Sequence, residues 1–297
     1  MSLTAFLPSP ERGVWNLGPL PVRAYALIIL LGIVCAVMIA DRRWQARGGK
    51  GGDFMEVAVW AVPFGIVGAR LYHVATDWPT YFGSGGKGFV AAAELWNGGL
   101  GIWGAVAGGA LGAWIACRRK GWLMPPLLDA AAPAIAVAQA IGRWGNYFNQ
   151  ELFGSPTDWP WGLQISPEHR PPGFESFATF HPTFLYESLW CLVVAGFVVW
   201  ADRRFRMGHG RVFALYVAAY CAGRLIFELV RIDSASLILG IRVNVFTSVL
   251  VGLAALAYLI VSARLRPGRE TRLTRDKPVA VAPAETLESE VAGSSPG

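Results

Sequence analysis

Charge is scarce in this chain. Only 15% of its 297 residues are Asp, Glu, Lys or Arg, against 54% hydrophobic residues, too little polar surface to cover a soluble fold. Cysteine is sparse as well. Cys35, Cys117, Cys191 and Cys221 stand far apart with no paired or ligand-like spacing, which marks them as small packing residues and excludes a disulfide framework or zinc site. The histidines and acids form no ligand set either, so no metal and no other cofactor is expected. No fixed-period repeat occurs. Pro8, Pro10 and Pro19 occupy the region where a cleavable signal peptide would carry a basic start and an apolar core, so the first helix itself is expected to direct insertion.

What the chain does have is long apolar runs. Seven stretches of about the twenty residues that cross a hydrocarbon core cover 24–40, 54–75, 95–117, 127–147, 183–201, 210–230 and 243–263. They predict an all-α polytopic membrane protein with seven transmembrane helices. Of the 26 Lys and Arg residues, 17 fall in alternate connections if the N-terminus is outside and six in the others. Basic residues favour cytoplasmic loops, so the N-terminus is placed in the periplasm and the C-terminus in the cytoplasm of a bacterial inner membrane. The net charge of +6 is thereby a topology signal with some attraction to membrane lipids, and nucleic acid is not an expected partner. Residues 1–266 form one transmembrane domain. Within it, 148–181 is a Pro-, Gly- and aromatic-rich cap or substrate loop too long for a turn. Residues 267–297 have the composition of a disordered cytoplasmic tail.

Three arginines, Arg70, Arg143 and Arg224, lie inside predicted spans, where an ionisable side chain is costly unless paired or wetted. The segment Ile141 to Gly154, I-G-R-W-G-N-Y-F-N-Q-E-L-F-G, is the densest polar cluster at any helix exit. The polar residues converge on the outer leaflet: Tyr25; Arg70; Asn97, Gly98, Gly99 and Gly101; Arg143 and Asn146; His181, Tyr186 and Glu187; Tyr220, Arg224 and Glu228. Tyr220, Arg224 and Glu228 follow i, i+4, i+8, so they share a helix face on which Arg224 and Glu228 can pair. A polar cavity with arginines suits phosphate, and a phospholipid headgroup is the natural candidate. Arg70 could equally snorkel or tie helices together, and Arg224 with Glu228 could be a structural pair. Glu56 and Asp129 are set apart as acids at helix starts on the inner side. Gly104, Gly108 and Gly112 form a small-residue stripe for close helix contact.

The run G-R-W-G-N-Y-F-N-Q-E-L-F-G resembles the signature of bacterial prolipoprotein diacylglyceryl transferases. L-G-P-L-P-V-R-A-Y, W-N-G-G-L-G, H-P-T-F-L-Y-E and G-R-L-I-F-E-L-V-R agree with that family in order and spacing, from Asn16 to the seventh helix. The resemblance implies transfer of the diacylglyceryl group of phosphatidylglycerol to the lipobox cysteine thiol of prolipoprotein signal peptides. A thioether forms and glycerol phosphate leaves, with the active site toward the periplasmic leaflet. It also implies functional roles for Arg143, Asn146, Glu151 and Gly154, with Asn149, Tyr25, Tyr220, Arg224 and Glu228. Arg143 and Arg224 are assigned the phosphate and Asn146 the headgroup glycerol. Glu151 and Glu228 are assigned to hold those donors, and Gly154 to serve backbone geometry. Gly98, Gly99 and His181 join the substrate-binding set.

One position departs from the family. Many members carry a histidine after the G-G motif of the third helix, a candidate general base, where this chain has Trp103. Deprotonation must then come from Tyr25, Tyr220, a carboxylate, or thiolate formed in water, since about a few per cent of free thiol is ionised near neutrality. The competing class is a phospholipid-binding or transport protein without transferase chemistry, which intramembrane Arg and Glu would also serve.

Overall fold

The computed structural model describes residues 6–18, 20–95, 98–233 and 237–275. Asn97 and the expected tail from 276 onward lie outside them. Among the described residues, nine α-helices carry the fold: α1 (Ala24–Gln45), α2 (Asp53–Thr76), α3 (Trp78–Phe82), α4 (Gly88–Ala93), α5 (Ile102–Lys120), α6 (Met124–Asn149), α7 (Thr183–Phe205), α8 (Arg211–Glu228) and α9 (Val243–Leu265). Sheet is confined to three antiparallel two-stranded ribbons, β1–β2 (Val14–Leu17 with Leu20–Arg23), β3–β4 (Leu163–Gln164 with Thr179–Phe180) and β5–β6 (Leu237–Ile238 with Ile241–Arg242).

Five helices, α1, α2, α6, α7 and α9, are long and apolar enough to cross a membrane, and they identify a polytopic membrane protein. Helices α5 and α8 occupy the other two expected positions, but glycines and a basic end dilute α5, and α8 carries Arg211, Arg224 and Glu228. The third stretch also begins later than its apolar run. Gly98 and Gly99 adopt φ of +83° and +71°, left-handed backbone that no helix continues through, so α5 opens at Ile102.

Helix α6 is the axis of the bundle, packing against α1, α7 and α8, while α2 pairs with α5 and α8 with α9. Its alanine-rich face lets neighbours close in: Ala130, Ala132 and Ala136 are fully buried. Half of its apolar window is buried, against 17% for α1 and α9, which present leucine, isoleucine and valine outward as lipid-facing helices do. The α2–α5 contact rests on glycine. A Cβ on Gly104, Gly108 or Gly112 would overlap the backbone carbonyls of Gly68, Phe64 or Trp60, so the stripe allows direct backbone approach.

One end of the bundle is locked by charge. Asp202 takes Arg43 at 2.7 Å, Arg47 at 3.1 Å and Arg269 at 2.6 Å. Asp129 does not serve its own helix start as expected. It sits five residues into α6 and accepts the backbone N–H groups of Gly210 and Phe213, both at 3.0 Å, capping α8 instead. The first nine residues assigned to the tail, 267–275, are docked on this end. Leu273 O accepts Leu123 N at 2.8 Å, Arg275 N donates to Gly121 O at 2.7 Å, and Glu270 Oε1 lies 3.4 Å from Arg47 Nη1. The segment therefore ties together the α1–α2, α5–α6 and α7–α8 connections.

Two stability outcomes are expected. Gly108→Val should lower the thermal midpoint in detergent, because overpacking a backbone contact costs about 1–3 kcal/mol. A chain ending at Arg266 should melt below one ending at Arg275, by on the order of 2 kcal/mol for the lost ion pairs and hydrogen bonds; equal midpoints would make the docked segment energetically idle.

Candidate active site

The opposite end gathers the predicted polar residues. Helix α6 delivers Arg143, Asn146 and Asn149 in its last two turns, then stops at Gln150, whose φ is +49°. The reversal puts Glu151 back over the helix end, where its Oε1 accepts Asn146 Nδ2 at 2.8 Å and Asn149 Nδ2 at 3.2 Å. Tyr25, in the first turn of α1, lays its ring on the α6 backbone, where a Cβ on Gly145 would come within 2.5 Å of it. Glu151 and Arg143 are the charges acting on its hydroxyl.

Arginines and carboxylates then alternate across α6, α7, α8 and the β5–β6 ribbon. Glu187 in α7 receives Arg143 Nη2 at 2.5 Å, Arg224 Nη1 at 3.6 Å and Arg231 Nη1 at 3.8 Å. Glu228 receives Arg224 Nη2 at 2.9 Å, the pair that the i, i+4 spacing implied, together with Arg242 Nε at 2.5 Å and Asn244 Nδ2 at 3.0 Å. Asp233 joins Arg231 at 2.7 Å and Arg242 at 3.3 Å. Burial alone would raise the Asp233 carboxyl, but the Arg231 hydrogen bond and charge, then Arg242, hold it below the usual carboxylate range.

The roles assigned to the two glutamates thus divide. Glu228 holds Arg224, whereas Glu151 holds two asparagines and Arg143 is held by Glu187, because α7 packs beside α6 and brings Glu187 to the guanidinium. Glu187 closes the H-P-T-F-L-Y-E run and received no role from sequence. Arg231 lies one residue past the 210–230 run, although it ends G-R-L-I-F-E-L-V-R seven residues after Arg224, the spacing that returns a helix face after two turns. Arg242, Asp233 and Asn244 carried no local signal, since only the turn between α8 and α9 brings them in.

Gly154 is required for close approach. A Cβ there would stand 2.8 Å from Val230 Cγ1 and 2.9 Å from His181 Cβ. Its N–H donates to His181 O at 2.9 Å, and Ser155 N donates to Val230 O at 2.9 Å, so this point joins the starts and ends of α6, α7 and α8. The segment 150–182 packs through Phe153, Leu163, Ile165 and Phe180 onto Phe184 of α7. His181 faces Tyr186, not the arginines: Trp161 Nε1 donates to the phenol oxygen at 2.9 Å, and that hydroxyl lies 3.2 Å from His181 Nδ1. An indole only donates, so the phenol can give its proton to Nδ1. Burial lowers the imidazole pKa.

Tyr220 and Arg224 line a narrow cleft with Glu187, Trp190, Cys191 and Phe227. Arg224 Nη1 is buried and has no hydrogen-bond partner among the described residues. Gly98 and Gly99 belong to a different assembly. Buried Arg70 donates to the carbonyls of Ala91 at 2.6 Å, Ala92 at 2.8 Å, Gly98 at 2.6 Å and Gly99 at 3.0 Å. It is a clamp on the α4–α5 connection, with no hydrogen bond or ion pair to the Arg143 cluster among the described residues.

The arrangement can neutralise an anion between preorganised guanidinium groups in a site shielded from water. Comparison with known proteins agrees with that chemistry. A family model described as "Prolipoprotein diacylglyceryl transferase" matches residues 12–261. A relative from Streptomyces griseus named phosphatidylglycerol–prolipoprotein diacylglyceryl transferase is 59% identical over 274 residues, covering 92% of this chain and 82% of its own. Relatives of the same name from Rhodococcus jostii and Mycobacteroides abscessus are 56% and 55% identical over 282 residues, covering 91% of this chain and 77% and 81% of theirs. With a match this long through every element that builds the arginine cluster, the chain belongs to the prolipoprotein diacylglyceryl transferase family.

Proposed function

We propose that this protein transfers the diacylglyceryl group of phosphatidylglycerol to the lipobox cysteine of a prolipoprotein signal peptide. The bilayer is crossed seven times, with the N-terminus periplasmic, the C-terminus cytoplasmic and the arginine cluster toward the outer leaflet of a bacterial inner membrane. The observation that carries the reading is Arg224 Nη1, a buried guanidinium nitrogen with no hydrogen-bond partner among the described residues, which stands 3.6 Å from the Glu187 carboxylate that also holds Arg143. A phosphodiester oxygen supplies the missing acceptor.

In the reaction the substrate sulfur attacks the glycerol carbon that bears the phosphate. The new bond is C–S, the carbon–oxygen bond to phosphate breaks, and the electron pair leaves on glycerol phosphate. Charge grows on the departing oxygen, where Arg143 and Arg224 stabilise it more in the transition state than in the ground state. Asn146, held by Glu151, orients the headgroup glycerol. Gly154 packs α7 and α8 against the α6 exit so that both arginines reach one point. The same positive field favours thiolate at the substrate cysteine, which suits a chain with Trp103 where relatives in the family place a histidine. Tyr25, whose hydroxyl lies in the field of Glu151 and Arg143, serves that thiol or the leaving oxygen; Tyr220 shapes the cleft wall.

The test is incubation of purified protein with phosphatidylglycerol and a lipobox peptide, read by mass spectrometry. The peptide should gain one diacylglyceryl group, and a Cys→Ser peptide should gain nothing. Bound phosphatidylglycerol without an adduct would return the protein to the lipid-binding or transport class. Arg143→Ala should insert normally and lose at least about 10²-fold in turnover, the scale of removing one preorganised donor. Glu187→Gln tests the positioning of the arginines. With its charge gone the three guanidinium groups repel, so kcat should fall by about 10²-fold and the thermal midpoint should fall as well, because breaking a buried ion pair costs about 3–5 kcal/mol. Full activity in this variant would show that the sharing is incidental.

A further inference from the structure

Helix α6 stops at a residue that carries a side chain where glycine is usual. Gln150 N donates to Tyr147 O at 3.2 Å and Glu151 N to Asn146 O at 3.1 Å, the two backbone bonds of a Schellman turn. The left-handed position of that turn favours glycine, because a Cβ there crowds the backbone. Gln150 fills it at φ +49° and is only 6% exposed.

A buried primary amide needs partners for both its ends, and Gln150 finds them on two separate segments. Its Nε2 donates to Pro10 O at 3.1 Å, and its Oε1 accepts Ser166 N at 2.9 Å. The N-terminal segment that carries Pro10 lies along β3: Leu7 N donates to Gly162 O and Gln164 N to Leu7 O, both at 2.9 Å. Tyr147 Oη donates to Pro8 O at 2.8 Å. Proline has a fixed φ and no N–H, so Pro8 and Pro10 present stiff carbonyl acceptors to the exit of α6.

This junction fixes Glu151. Glu151 is itself exposed, so side-chain packing does not hold it and the backbone on either side must. Leu152 is left-handed as well, at φ +58°, and its carbonyl accepts the Thr183 hydroxyl of α7. Glu151 thus leaves the chain between two anchored left-handed residues, and its carboxylate meets Asn146 and Asn149.

We propose that Gln150 is a positioning residue for the headgroup end of the site. Its amide ties the N-terminal segment and the segment 150–182 to the exit of α6, which keeps the Glu151 carboxylate on Asn146. The inference rests on the reading of Asn146 as the group that orients the headgroup glycerol. Glycine at this position would satisfy the turn but not the bridge, so the two roles of the residue can be separated.

The test compares the Kd of phosphatidylglycerol with that of phosphatidic acid, which lacks the headgroup glycerol, by titration of the full chain in detergent. Relief of left-handed backbone offsets part of the loss of two hydrogen bonds, so Gln150→Gly is expected to fold. It should bind phosphatidylglycerol about tenfold more weakly, the scale of one hydrogen bond, and phosphatidic acid as the parent does. Gln150→Asn tolerates left-handed backbone but is one methylene too short to span Pro10 and Ser166, and it should show the same selective loss. Asn146→Ala should show it too, and adding Gln150→Gly to that variant should change nothing further. Parent-like affinity in Gln150→Gly, an equal loss for both lipids, or a further loss in the Asn146→Ala background would each overturn the proposal. Unchanged binding by Asn146→Ala would remove the reading on which it rests and overturn it as well. Failure to modify the lipobox peptide would instead strike the transferase reading and leave this comparison of affinities intact.

Discussion

Glu187 is the group on which the rest of the site depends. Arginines from three chain segments converge on this one buried carboxylate: Arg143 from α6, Arg224 from α8 and Arg231 just beyond it. Four guanidinium groups this close would repel strongly in a shielded interior. Sharing three carboxylates among them, with Glu228 and Asp233 completing the set, offsets that repulsion without saturating every donor. Each guanidinium carries five N–H donors, more than the shared carboxylates take up. Arg224 Nη1, 3.6 Å from Glu187, keeps no hydrogen-bond partner among the described residues, the position proposed above for a phosphodiester oxygen.

The two ends of the bundle use the same residue types to opposite effect. Away from the cleft, Asp202 and Glu270 satisfy Arg43, Arg47 and Arg269, and residues 267–275 are drawn over the connections like a seal. At the cleft end the charges are shared, and the segment 150–182 packs onto the start of α7 through Phe153, Leu163, Ile165 and Phe180.

Glycine sets the distances between these parts. Gly145 admits the Tyr25 ring to the α6 backbone, Gly154 admits His181 and Val230 to one point, and the Gly104–Gly108–Gly112 stripe admits α2 to α5. None of these three uses needs positive φ; each needs the absent Cβ. At Gly98 and Gly99 the reverse holds. Left-handed backbone there turns two carbonyls onto Arg70, which is why a motif that reads as part of the site is built as a clamp at the head of α5.

Sequence alone determined the class and the positions of the long helices, because spans must be apolar over a fixed length and their boundaries follow from that. It also marked Arg143, Asn146, Glu151, Arg224 and Glu228, since density of polar groups at a helix exit and i, i+4 spacing are local properties. Partnership was not legible. That Arg143 is held by Glu187 and not Glu151, that Asp129 caps α8 and not its own helix, and that Arg231 and Arg242 enter the cluster all depend on which helices lie side by side. The start of α5 and the docking of 267–275 escaped for the same reason. Composition reports whether a segment can be buried, whereas only the tertiary structure decides which buried charge stands opposite which, since that choice is set by packing between segments far apart in the chain.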